Sequence, residues 1–128
     1  MKSAPVRRAE SATAPHARRA AEVCIDSKGV EVVVLDLQGV TEITDYFVIA
    51  SGTSDTHVRS IAEHVMADFS ARGIEAVAVE GLDTGRWVVL DYLNFVVHVF
   101  HPTLRNFYQI ERLWADAQVV PLTADVSR

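Results

Sequence analysis

Two apolar runs separated by a turn-sized break fill residues 80–101, EGLDTGRWVVLDYLNFVVHVFH. The pattern predicts a β-hairpin with one strand over 86–92, the other over 95–101, and a turn at Leu93-Asn94. Period-two alternation puts Trp87, Val89 and Asp91 on one side of the first strand and Val88, Leu90 and Tyr92 on the other. An indole beside a carboxylate suits a partner-contacting surface, because the ring supplies area and the acid selects a basic counterpart. The competing reading is a core tryptophan near a solvated strand end.

Ala20, Val23 and Cys24 at helical spacing, with Gly29 just beyond, predict a first helix over 14–27. The β-branched run EVVVLDL (31–37) predicts a buried strand, and 46–51 predicts a second, with a polar turn between them over 38–45. Thr53, Ser54 and Asp55 are candidate caps for a helix ending at Arg72-Gly73, whose stripe of Val58, Ile61, Ala62, Val65 and Phe69 faces a sheet. Residues 74–80 read as a third strand. Pro102 opens a last helix to about Ala117, with Leu104, Phe107, Ile110 and Trp114 inward and Arg105, Tyr108 and Arg112 on the flank. Tyr108 is there a candidate contact residue, or a ring covering the rim of the core. A helical crossover combined with a hairpin predicts α/β or α+β architecture, a mixed five-stranded sheet with packed helices. The expected organisation is a basic disordered tail over 1–13, one domain over 14–118 and a short tail over 119–128.

Charge sharpens this picture. Residues 1–19 hold five Lys or Arg against one acid, whereas 20–128 hold seven against sixteen, a net of 7 − 16 = −9. Such a body is repelled by phosphate backbones and suits a basic protein surface, so direct sequence-specific nucleic-acid binding is not expected. The tail resembles a bacterial leader segment or a short organellar transit peptide. No apolar run is long enough to cross a bilayer, so no membrane partner is expected and the expected location is cytoplasmic. Cys24 is the only cysteine, which excludes an internal disulfide.

Candidate chemistry is sparse. Gly52-Thr53-Ser54 before a helix could hold a phosphate. Nucleotide transfer would also need paired carboxylates for a divalent metal, and 74–79 offers only Glu75, while Asp36, Asp45, Glu80 and Asp91 lie on separate elements. His57 and His64 lie two helical turns apart, too far for one zinc, and His98 and His101 fall on opposite strand faces. Surface or capping roles are expected for all four, and a small core role for Cys24. No cofactor or metal is expected.

Several segments together resemble the ribosomal silencing factor, or Iojap, family: TDYFVIASGTSDTHVRSIAEHV (44–65), EG followed by RWVVLDY (80–92), VVHVF (96–100) and RNFYQIERLW (105–114). The resemblance implies a nucleotidyltransferase-like mixed sheet without the catalytic acids, and a non-enzymatic role. It implies binding to the large ribosomal subunit through its L fourteen protein, which sterically blocks joining of the small subunit and represses translation when nutrients are short. Carried across by motif, the partner contact falls on Trp87, Asp91, Tyr92 and Tyr108, with Glu80 as a further member. This chain has Leu93-Asn94 where the family commonly has Gly-Asp, and leucine at a positive backbone angle is strained, which predicts a longer turn or another type. The alternatives are a nucleotidyltransferase-type nucleotide-binding enzyme using Gly52 to Ser54, and a homodimeric scaffold.

Overall fold

The computed structural model describes residues 13–104 and 115–122. The elements are α1 (Thr13–Asp26), β1 (Val30–Asp36), β2 (Tyr46–Ser51), α2 (Asp55–Ser70), β3 (Ala78–Glu80), β4 (Trp87–Asp91), β5 (Phe95–Phe100) and β6 (Gln118–Val119). A further helical turn starts at 102–104. The strands form one sheet in the order β3-β4-β5-β2-β1-β6. Only β2 and β5 pair in parallel; the other four neighbours are antiparallel. These two central strands are the most completely buried, as strands covered on both faces must be.

The sheet is mixed as expected, but it has six strands rather than five. Gln118 and Val119 pair with Asp36 and Leu35, and Val120 N–H donates to the Val34 carbonyl at 2.8 Å. The chain therefore stays in the sheet beyond 118, where a tail was expected. Two residues have no period to read, so β6 is made by the open edge of β1. At the other edge, the strand expected over 74–80 shrinks to Ala78–Glu80 because only that stretch meets β4. Ile74 and Ala76 instead pack against the core from the preceding loop.

α1 and α2 cover one face of the sheet. Val58, Ile61, Ala62, Val65 and Phe69 of α2 are all completely buried, as their spacing predicts. Ser54 caps this helix by accepting from His57 N–H at 3.1 Å, and Gly73, at φ +81, follows its last turn. Arg19 of α1 clamps Asp68 of α2 through two hydrogen bonds, at 3.1 and 2.7 Å. That guanidinium holds the Asp68 carboxyl below its ordinary range. Cys24 is fully buried in this layer, and burial pushes its thiol up to about 12, in keeping with a small core residue.

A second, smaller cluster lies on the opposite face: Leu35, Leu37, Ile49 and Phe100, flanked by the half-buried Val33, Phe47, Trp87, Leu104 and Ala117. Except for Leu104, the expected inward and flank residues of the last helix lie outside the described residues, Tyr108 among them.

Of the two alternatives expected for the β4–β5 connection, a longer turn or one of another type, the second holds: it is a two-residue turn closed by an i→i+2 hydrogen bond. Tyr92 N–H donates to the Phe95 carbonyl at 3.0 Å, and Asn94 N–H donates back to the Tyr92 carbonyl at 2.9 Å. Leu93 between them takes φ 73, a left-handed conformation that costs an L-residue roughly 1–2 kcal/mol. Asp91 steadies it by accepting from Leu93 N–H at 2.8 Å.

A candidate protein-docking face

Residues directly opposite in an antiparallel pair point to the same side of a sheet. Glu80 pairs with Val89, Trp87 with Phe100, and Asp91 with Val96. By alternation Trp87, Val89 and Asp91 share one side of β4, so Glu80 joins them. The structure thus brings Glu80, Trp87 and Asp91 onto one sheet face, away from α1 and α2. Glu80 is exposed on the edge strand, and Trp87 and Asp91 are half-buried.

Gly81 fixes the approach to this face. It sits at φ +83, and a Cβ there would run into the Trp87 carbonyl. Glycine is what lets the chain leave β3 and pass tightly under the start of β4.

The indole of Trp87 is held from two sides. Its ring stacks on Phe100, with centroids 5.0 Å apart and planes at 26°. Its Nε1–H donates to His98 Nδ1 at 3.2 Å. This hydrogen bond sets the tautomer, because an accepting Nδ1 leaves the ring proton on Nε2. His98 is buried, only 6% exposed, with Phe47 edge-on at 4.5 Å, and its Nε2 finds no partner among the described residues. Burial lowers its pKa from 6.5 to about 4, so the ring is neutral at physiological pH. The surface or capping role expected for His98 is therefore incorrect. Alternation gave the side of the strand, but not that the rings of Phe47, Trp87 and Phe100 pack around the imidazole there.

Tyr92 does not join the group. It lies on the opposite side of the strand, 8% exposed, stacked on Phe95 at 4.8 Å and 8° and packed against Phe69 at 5.2 Å. Burial, with the Glu75 charge adding to it, raises its phenol to about 12. Strict alternation had separated Tyr92 from Trp87, and the strand end does not twist enough to reunite them.

The other candidate groups have structural partners. His57 Nδ1 accepts from Thr53 N–H at 2.9 Å, so its Nε2–H donates to the Ser27 carbonyl at 2.8 Å, tying α2 to the end of α1. His64 Nδ1 lies 2.8 Å from Ser27 Oγ, and His101 Nδ1 lies 3.0 Å from Thr103 Oγ1. A Cβ at Gly52 would lie 2.8 Å from both the backbone nitrogen and a methyl of Val58, so that glycine serves the packing of β2 against α2. Ser54 Oγ is engaged as the α2 cap. Among the described residues, no three His, Cys, Asp or Glu side chains converge on a common metal position.

A six-stranded mixed sheet with two helices on one face and an acidic, indole-bearing patch on the other defines a small single-sheet α+β protein. A solved protein of Chromobacterium violaceum has the same class of fold: 31% identity, a TM-score of 0.79, and coverage of 82% of this chain and 88% of that one. Residues 9–128 match the family described as "Ribosomal silencing factor during starvation". The ribosomal silencing factor of Bacillus subtilis is 39% identical over 103 residues, which is 80% of this chain and 87% of that protein. A mouse protein named for mitochondrial assembly of the ribosomal large subunit is 29% identical over 102 residues, covering 45% of its own length. The chain belongs to the ribosomal silencing factor family.

Proposed function

We propose that this protein docks on the large ribosomal subunit, at its L fourteen protein, and represses translation by occluding the surface that the small subunit must reach. The chain acts by occupying space and turns over no substrate; its setting is the cytoplasm. One observation carries the reading. Glu80, Trp87 and Asp91 stand on a single sheet face, two carboxylates and an indole spaced along it. Carboxylates of this kind steer the protein toward a basic surface, and a partly exposed indole supplies the anchor. The −9 net charge of residues 20–128 gives the same direction of steering. Tyr108 remains part of the proposed contact through the family motif. Tyr92 supports it from beneath, by packing the end of β4 against α2.

Co-sedimentation with purified large subunits tests the face. Trp87→Ala should weaken binding by about 2 kcal/mol, roughly thirtyfold. Glu80→Lys, an exposed charge reversal, should weaken binding most at low salt. Wild-type binding by both variants would remove this face from the contact. Subunit-joining assays test the mechanism: normal formation of joined ribosomes at saturating protein would exclude occlusion.

A further inference from the structure

Among the described residues, three that are not glycine take positive φ, Lys28, Glu31 and Leu93, and only the last of these is apolar. Leu93 is also 61% exposed. Its backbone is strained and its side chain is in water, so neither feature is explained by packing within the described protein. Leu93 is not isolated. Thr44 Oγ1 donates to the Leu93 carbonyl at 2.9 Å, and Asp45 N–H donates to the Asn94 carbonyl at 3.0 Å, which staples the 38–45 turn to the 92–94 turn. On that first turn Ile43 is 81% exposed and Val40 38%. Val77, 59% exposed, enters the same end of the sheet, where its N–H donates to the Asp91 carbonyl at 2.7 Å. Beside them is a concavity of about 430 Å³ lined by Gly39, Val40, Thr41, Glu42 and Asp45.

We infer that this end of the sheet is a second docking element, in which Leu93 and Ile43 insert into an apolar socket on a large-subunit protein whose rim is basic. The inference rests on the proposed docking function and extends it to a new surface. Exposed aliphatic side chains ask for an apolar counterpart. Glu42 and Asp45 in the concavity select Lys or Arg beside that socket and disfavour phosphate, so the partner is protein rather than RNA. Asp91 joins the two surfaces: its side chain belongs to the Trp87 face, and its Oδ1 accepts from Leu93 N–H. The strained turn thereby holds the leucine out from the same strand end that carries the first contact.

The test measures folding and binding on the same variants. Leu93→Gly relieves the positive φ, so its thermal midpoint should equal or exceed wild type while its Kd for large subunits rises about tenfold. Ile43→Ser should raise Kd about fivefold with an unchanged midpoint. Normal binding by both variants, alongside weakened binding by Trp87→Ala, would overturn this inference and leave the Trp87 face standing. Failure of wild type to bind large subunits would defeat the docking function itself and this surface with it. A lower midpoint for Leu93→Gly would show that the leucine holds the monomer together, and would overturn the inference. Leu93-dependent binding to protein-free large-subunit RNA would also overturn it.

Discussion

Lowering the pH from about 7.5 to about 5 should destabilise this protein through one buried ring. His98 titrates at about 4 in the folded protein, against its ordinary value of 6.5 in the unfolded chain. Between those values the unfolded state binds more protons, so its contribution to stability is fully present above 6.5 and is lost as the pH falls toward 4. From this difference, the loss at pH 5 is about 2 kcal/mol, with a limit of about 3 kcal/mol once both states are protonated. Geometry gives the cause: a charged imidazole would have to carry a proton on Nδ1, where the Trp87 Nε1–H already points. His98→Asn keeps an acceptor for that N–H and removes the titration. Urea unfolding of both proteins at the two pH values isolates the effect from the carboxylates, which are common to both. Wild type should lose about 2 kcal/mol more than the variant over this interval. Equal losses would refute the buried neutral imidazole.

Two further expectations concern the parts that position the face. Phe69→Ala removes a fully buried ring packed against Tyr92 and Phe95, and should cost about 3–5 kcal/mol in denaturant unfolding. Gly81→Ala places a methyl against the Trp87 carbonyl at φ +83, and should cost more than about 1 kcal/mol by the same measure, with weaker large-subunit binding because β4 must shift.

Several elements were legible because a periodic signal and a boundary signal agreed. The α2 stripe and its Ser54 cap are both in place, and the hairpin alternation assigned Trp87, Asp91 and Tyr92 to their observed sides. What alternation lacks is the cover of each side. Trp87 and His98 meet because β4 and β5 pair in one register, with the rings of Phe47 and Phe100 beside the imidazole, and a histidine in a strand gives no local sign of such neighbours. The signal that could have found His98 was its place on β5 two residues before Phe100, the partner of Trp87, which sets it diagonal to the indole. The parallel pairing of β2 with β5 and the two-residue β6 depend on contacts between distant parts of the chain. The Leu93 turn was readable as a conflict between residue type and turn length. The structure keeps the short turn and accepts the strain.

The central β2–β5 seam also sets a timetable for biosynthesis. The amino-terminal portion, α1 with the β1–β2 hairpin, leaves the ribosome first, and the β2 side that will meet β5 then has no neighbour. Val48, Ile49 and Ala50 along it wait for Phe95–Phe100 to emerge. A nascent chain stopped before β5 would present an unsatisfied apolar strand, a template for misassembly with other copies. A chain stopped after β5 but before Gln118 would leave the opposite border, along β1, uncapped. Completing the sheet therefore falls to segments synthesised well after β2, and products truncated before them are candidates for chaperone capture or proteolysis.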